Sequence, residues 1–325
     1  MPTGRMSVRL WLAATVAALL FLIGVLPLQA APFTVPNPYA TGVENGDIAA
    51  RRLYVFGDSY SKKARKAFHN WAEQLSLDER NTSSGATLFP ILKDFAVSGA
   101  TAGSYAGSTN DFARQISRWL ATNSPFSTRD LTTVYLGYND IRLGTNPAGP
   151  DLAGSMSAYR SGLQRLIAAG ATGKSRRIFL IMPHDWGRSP RYVANGQSGL
   201  MRQRTQVWNA FVADLAQQSS FTRLIAVDLL TSFDCVFRQP ADFGFINVTD
   251  PRPKSASAST YLYDLNDDLH FGERGQALIR QVIQYYLTRG WDWANTIKDP
   301  ASTRSRLVGD LQAGRVFGVR CTSSS

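Results

Sequence analysis

Cysteine is scarce in this chain: only Cys235 and Cys321 occur among 325 residues. Two thiols are too few for a disulfide scaffold, and no Cys-x-x-Cys pattern offers a zinc or redox site. In an oxidising compartment the pair could pin the C-terminal tail to the body, if their Cα atoms lie close enough. Histidine is nearly as rare, at three. Acids are outnumbered, 24 against 35 bases, for a formal charge of +11. Yet no dense basic run alternates with aromatics, and Arg176-Arg177, Arg202, Arg204, Arg304, Arg306 and Arg315 are scattered. Nucleic acid is therefore not an expected partner. Peripheral contact with an anionic membrane or envelope polymer, or simply a solvated basic surface, accounts for the charge.

Long apolar runs are missing too, with one exception. Arg5 and Arg9 precede an uncharged stretch from Leu10 to Leu28, followed by Gln29-Ala30-Ala31-Pro32. A basic start, an apolar middle and a small residue at the cut read as a signal peptide over residues 1–30. The run is long for a signal, so an uncleaved N-terminal anchor is the alternative. The expected location is secreted or periplasmic.

What remains is globular in composition, with 44% apolar residues and 17 Phe. Residues 31–50 form a Pro/Asn/Gly-rich lead-in, 51–290 a single domain and 291–325 a polar, Arg-rich tail expected to be partly disordered. Apolar strand candidates are Leu53–Phe56, Asp94–Val97, Thr133–Leu136, Ile178–Met182 and Leu224–Val227. Helical stretches fall near Ala64–Leu77, Asn110–Thr122, Leu152–Ala169, Met201–Gln218 and Arg274–Leu287. This alternation predicts one α/β domain, a five-stranded parallel sheet covered on both faces. Gln239 to Tyr263, with three prolines and a Ser/Ala tract, is read as a long loop serving as lid or substrate wall. Exposed Phe and Tyr there would suit an acyl chain or a sugar face.

Phe56-Gly57-Asp58-Ser59-Tyr60 puts a serine directly after the first strand candidate. The C-terminal edge of an open α/β sheet is where its active site lies. A serine is a weak nucleophile without a base, so one of the three histidines must take its proton. His69, on Phe68-His69-Asn70-Trp71 within the first helix, would point away. His184 follows the fourth strand and is read as a loop residue lining the cleft. His270 has Asp267 three residues before it, able to orient Nδ1 and leave Nε2 for Ser59. Asp264 and Asp268 are rivals for the acid role, and Asp58 is read as a structural residue of the turn. Oxyanion donors are supplied by two more strand ends. Gly99, in Ala96-Val97-Ser98-Gly99-Ala100, offers an unhindered N–H. Asn139, in Gly137-Tyr138-Asn139-Asp140, offers an amide. Each alone has a dull reading as turn chemistry or helix cap.

Taken in order, these blocks resemble the GDSL lipase/esterases of the SGNH-hydrolase superfamily, over roughly Arg52 to Leu287. Met182–Pro190 and Gln239–Asp250 are similar to stretches of its longer, lipase- and phospholipase-like members. The resemblance implies a three-layer α/β/α, flavodoxin-like fold and a triad of Ser59, Asp267 and His270. It implies an oxyanion hole of Ser59, Gly99 and Asn139, and no metal or organic cofactor. Phe271 stands where the family often has proline. The implied activity is hydrolysis of carboxylic esters, of a lipid or an acetylated polysaccharide. An acyltransferase delivering to a lipid or glycan alcohol, and a non-catalytic binder, are the alternatives.

Overall fold

The computed structural model describes residues 52–63, 68–77, 91–104, 110–127, 130–144, 152–173, 176–218, 223–288 and 300–322. The proposed signal segment and lead-in lie outside them. Five strands form one sheet: β1 (Arg52–Gly57), β2 (Ile91–Asp94), β3 (Asp130–Tyr135), β4 (Arg177–Met182) and β5 (Leu224–Asp228). All neighbours are parallel, in the order β2-β1-β3-β4-β5. The expected α/β architecture is therefore the one observed, and its order is the flavodoxin-like one. Strands buried on both faces are continuous apolar runs. Leu53, Tyr54, Val55 and Phe56 are fully buried, as are Ile178 to Ile181.

One helical layer comprises α2 (Phe112–Leu120), α4 (Leu152–Ala168) and α6 (Ser198–Gln217), packed in sequence against one another. The other comprises α1 (Trp71–Leu77), α7 (Leu229–Arg238) and α8 (Glu273–Thr288). Short helices α3 (Tyr138–Leu143) and α5 (Pro190–Ala194) follow β3 and β4. Helix α2 illustrates the local logic. Asp111 caps it by accepting from Arg114 N at 2.8 Å, and Phe112, Gln115, Ile116 and Trp119 make its buried face.

Two expectations are corrected, and that for the tail is qualified. β2 covers Ile91–Asp94, earlier than the Asp94–Val97 apolar run. It is an edge strand with half-exposed side chains, so it lacks the continuous apolar signature. The Asp94 carboxylate then folds back onto Ala96 N at 2.9 Å and ends the ladder, although Phe95 and Val97 still donate to β1 carbonyls. The tail is ordered in its described part. Helix α9 (Pro300–Gln312) packs on α7, burying Leu307 and Leu311, and Phe317 meets Phe243 edge-on. A Cys235–Cys321 disulfide, with Cα atoms 5.6 Å apart, ties its end to α7. Gln239 adds bonds to Arg320 O and Thr322 N. Lastly, the aromatics of the 239–263 loop are largely withdrawn from solvent: Phe243, Phe245 and Tyr263 are buried and Tyr261 is half-buried.

Candidate active site

β1 and β3 end side by side, Gly57 opposite Tyr135, and the chain departs from both ends toward one cleft. Gly57 is fixed from below by the Gln115 amide, which accepts from its N–H at 2.9 Å and donates to its carbonyl at 2.8 Å. A Cβ at Gly57 would lie 2.7 Å from Ser61 Oγ and 2.9 Å from Tyr135 O, so only glycine fits this corner. Asp58 turns inward, fully buried, accepting from Tyr60 N at 3.0 Å. Burial pushes its carboxyl up to about 7, against the lowering effect of that hydrogen bond and of His270. The turn thereby hands the next residue, Ser59, to the cleft.

Ser59 Oγ lies 2.7 Å from His270 Nε2, across 211 positions of sequence. On the other side of the ring, Nδ1 is 2.8 Å from Asp267 Oδ2. Asp267 Oδ1 accepts from Leu269 N and His270 N at 2.9 and 2.8 Å. Burial raises its carboxyl, but the His270 contact and these amides outweigh it and hold the group well below the usual carboxylate range. An ionised acid, an oriented imidazole and a hydroxyl thus stand in line. This geometry can move a proton from the hydroxyl while stabilising the resulting imidazolium.

The rival acids are turned elsewhere. Asp268 pairs with Arg191 at 2.8 Å, and Asp264 accepts from Leu265 N and faces Arg252. His69 precedes α1 rather than lying within it, and its exposed ring approaches Glu73. His184 departs from expectation. It is fully buried beneath the cleft floor, bonded to Tyr138 Oη through Nδ1 and stacked 4.2 Å from Phe271. Burial pushes its imidazole down to about 3, so it stays neutral. Phe271 thus fills its position by stacking between His184 and Phe233.

The three expected oxyanion residues, Ser59, Gly99 and Asn139, share one cleft. Neither Ser59 N nor Gly99 N donates to a protein acceptor among the described residues. Gly99 sits at φ +77, with nothing within 4 Å of where a Cβ would be. Asn139 opens α3 and donates one amide hydrogen to Ala100 O at 2.9 Å, leaving the second for the cleft. Ser59, Gly99, Asn139, Asp267 and His270 line one cavity of about 840 Å³. No residue of 239–263 lines it, so the lid reading of that loop is not met among the described residues. Instead the loop brackets the acid and base. Bridges join Arg252 to Leu265 and Tyr263 to Phe271, and Asn266 takes the left-handed conformation before Asp267.

Three supporting residues escaped the sequence reading. Tyr60 Oη donates to Leu269 O at 2.6 Å and its ring lies against His270. Asp140, quoted only as a possible cap, accepts from Ala102 N with both oxygens and so ties the Gly99 loop to α3. Burial pushes its carboxyl up to about 6. Gln115 is the third, and a glutamine among apolar helix positions was its only signal. Among the described residues no group of His, Cys, Asp and Glu is arranged to hold a metal ion.

Comparison with known proteins places this site in a family. Among solved structures, the chain is similar to a lipolytic G-D-S-L protein from Veillonella parvula. The two are 14% identical over 74% of this chain and 100% of that one, at a TM-score of 0.46. It is similar also to an acetylxylan esterase from Geobacillus stearothermophilus, 14% identical over 74% and 96%, at 0.46. Values this low say nothing of what this chain acts on. No curated protein matches it. The model of the GDSL-like lipase/acylhydrolase family, however, matches residues 55–278. Matched over more than half its length, the chain belongs to the GDSL-like lipase/acylhydrolase family.

Proposed function

We propose that this chain is an exported serine esterase that works through an acyl-enzyme on Ser59. The observation that carries the reading is the 2.7 Å approach of Ser59 Oγ to His270 Nε2, with Asp267 on the opposite ring nitrogen. His270 takes the hydroxyl proton as Oγ bonds to the ester carbonyl carbon. The carbonyl oxygen becomes an oxyanion facing Ser59 N, Gly99 N and the Asn139 amide. As the tetrahedral species collapses, the bond to the alcohol oxygen breaks and Nε2 returns the proton to that oxygen. Water, deprotonated by the same imidazole, then releases the acid. Asp267 stays ionised and steadies the imidazolium in both halves.

Export is supported by the basic-then-apolar N-terminal stretch and by the Cys235–Cys321 bond, which belongs to an oxidising compartment. The test of the mechanism is hydrolysis of p-nitrophenyl acetate by wild type and Ser59→Ala, both checked for folding by thermal melt. The expected outcome is a fall in kcat of about 10³-fold or more. Activity surviving the substitution would remove Ser59 from its role.

A further inference from the structure

Charge around the Ser59 cleft is nearly all of one sign. Its walls carry Lys62, Lys63, Arg142 and Arg191, against the single carboxylate of Asp267. That carboxylate is committed to the His270 ring and two backbone amides. Arg191 is neutralised by Asp268 at 2.8 Å. Arg142 reaches Asn139 Oδ1 at 3.4 Å. Lys62 and Lys63 are exposed; Asp94 accepts from the Lys63 backbone N–H and feels the Lys62 charge, but no side-chain ion pair joins either ammonium to a carboxylate among the described residues. The fold thus brings basic side chains from three separate segments, Lys62 and Lys63, Arg142, and Arg191, to one cleft.

Apolar side chains do line the cavity, but Tyr60, Tyr138, Trp186, Leu269 and Phe271 are buried and Phe68 alone is half-exposed, so the described lining carries no broad apolar rim that would let the cleft settle on hydrocarbon. The large exposed apolar side chains are Ile91, Leu120, Val193, Leu200, Val207, Ile246, Leu265 and Val308, and none lines the cavity. A cationic, water-facing mouth over a cavity of this volume suits a hydrophilic anion rather than an acyl chain entering from a membrane. We infer that the site takes an ester of a carboxylate-bearing polyhydroxy alcohol, the chemistry of an O-acylated acidic sugar, with Lys62 and Lys63 facing its carboxylate. This inference rests on the esterase reading of Ser59 and narrows it.

The test compares the mono-acetates of methyl glucuronoside and methyl glucoside, which differ by a carboxylate in place of a hydroxymethyl group. Wild type should prefer the uronate ester about tenfold in kcat/KM at low salt, as two or more exposed ion pairs allow. The preference should shrink as salt rises from about 0.01 M to about 0.5 M. A Lys62→Gln/Lys63→Gln variant should lose most of it, and Lys62→Arg/Lys63→Arg should keep it. Ser59-dependent hydrolysis of both esters without preference would overturn the inference and leave the esterase standing. So would turnover of p-nitrophenyl acetate with neither sugar ester cleaved. So, too, would a charge preference confined to vesicles of anionic over zwitterionic lysophospholipid. Failure on every ester, p-nitrophenyl acetate included, would instead sink the esterase reading itself.

Discussion

The two halves of the site are held by different means. Ser59, Gly99 and Asn139 stand at the ends of sheet strands, over a floor of fully buried residues with Gln115 and Asp140 locking the turns. Asp267 and His270 hang on a segment outside the sheet. Their position depends on isolated bridges, the Asp264 N to His270 O bond, the Tyr60 hydroxyl on Leu269 O and the Arg191–Asp268 pair. The proposed nucleophile and oxyanion donors therefore inherit the rigidity of the core, whereas the proposed acid and base need a bracket of their own. That bracket is anchored at its start by α7, which the disulfide ties to the tail. Precision on the loop side is built locally, and it is the side where damage should show first.

The largest effect should come from the chemistry of the bracketed half. Asp267→Asn keeps the size and the amide contacts but removes the charge that orients His270, so kcat should fall about 10³–10⁴-fold while the fold survives. A loss below tenfold would mean that the sheet half alone sets the rate. Next, Cys321→Ser releases the tail from α7. Urea unfolding should show a loss of about 2–4 kcal/mol, with kcat at low temperature near that of wild type. An unchanged midpoint would show that the packing of α9 alone holds the tail.

A pH comparison probes the floor beneath the two halves. The folded chain keeps His184 neutral down to about 3, while the unfolded chain protonates it near 6.5. Its contribution is therefore present above pH 6.5 and lost as pH falls toward 3, with a slope of up to about 1.4 kcal/mol per pH unit. Asp58 and Asp140, raised to about 7 and 6, act in the opposite sense. They stabilise below the ordinary carboxylate value and lose that effect as pH rises through those figures. The difference between wild type and His184→Gln isolates the histidine: it should decline as pH drops from 6.5 and be level above it. A difference that is level throughout would contradict a neutral buried ring. The smallest effect belongs to Arg191→Ala. Removing its exposed pair with Asp268 should lower stability by about 0.2–1 kcal/mol. A change in kcat larger than that in stability would locate the damage in the bracket.

Legibility in the sequence followed burial. β1, β4 and β5 announced themselves as short apolar runs, whereas of β3 only the Thr133–Tyr135 end was read, because it opens on Asp130 and carries Thr132 and Thr133. β2 did not announce itself, since its Ile91-Leu92-Lys93-Asp94 is half-exposed and half polar, and Asp94 bends the chain just where the apolar run begins. The helix within the tail went unread because its arginines hid the buried spacing of Leu307, Leu311 and Phe317. The approach of Ser59 to His270 was readable as chemistry and topology: a hydroxyl at a strand end, and an imidazole with an acid three residues before it. Tyr60, Gln115 and Asp140 were not, because their work is to hold backbone groups brought close only by folding. His184 was misplaced for the same reason, as no local pattern distinguishes a cleft histidine from one stacked under a floor of aromatics.

The central claim is tested most directly by treating the folded protein with a fluorophosphonate and mapping the adduct by mass spectrometry. The account predicts one phosphonyl group on Ser59, formed slowly or not at all in His270→Ala. No adduct, or one on a different residue, would contradict it.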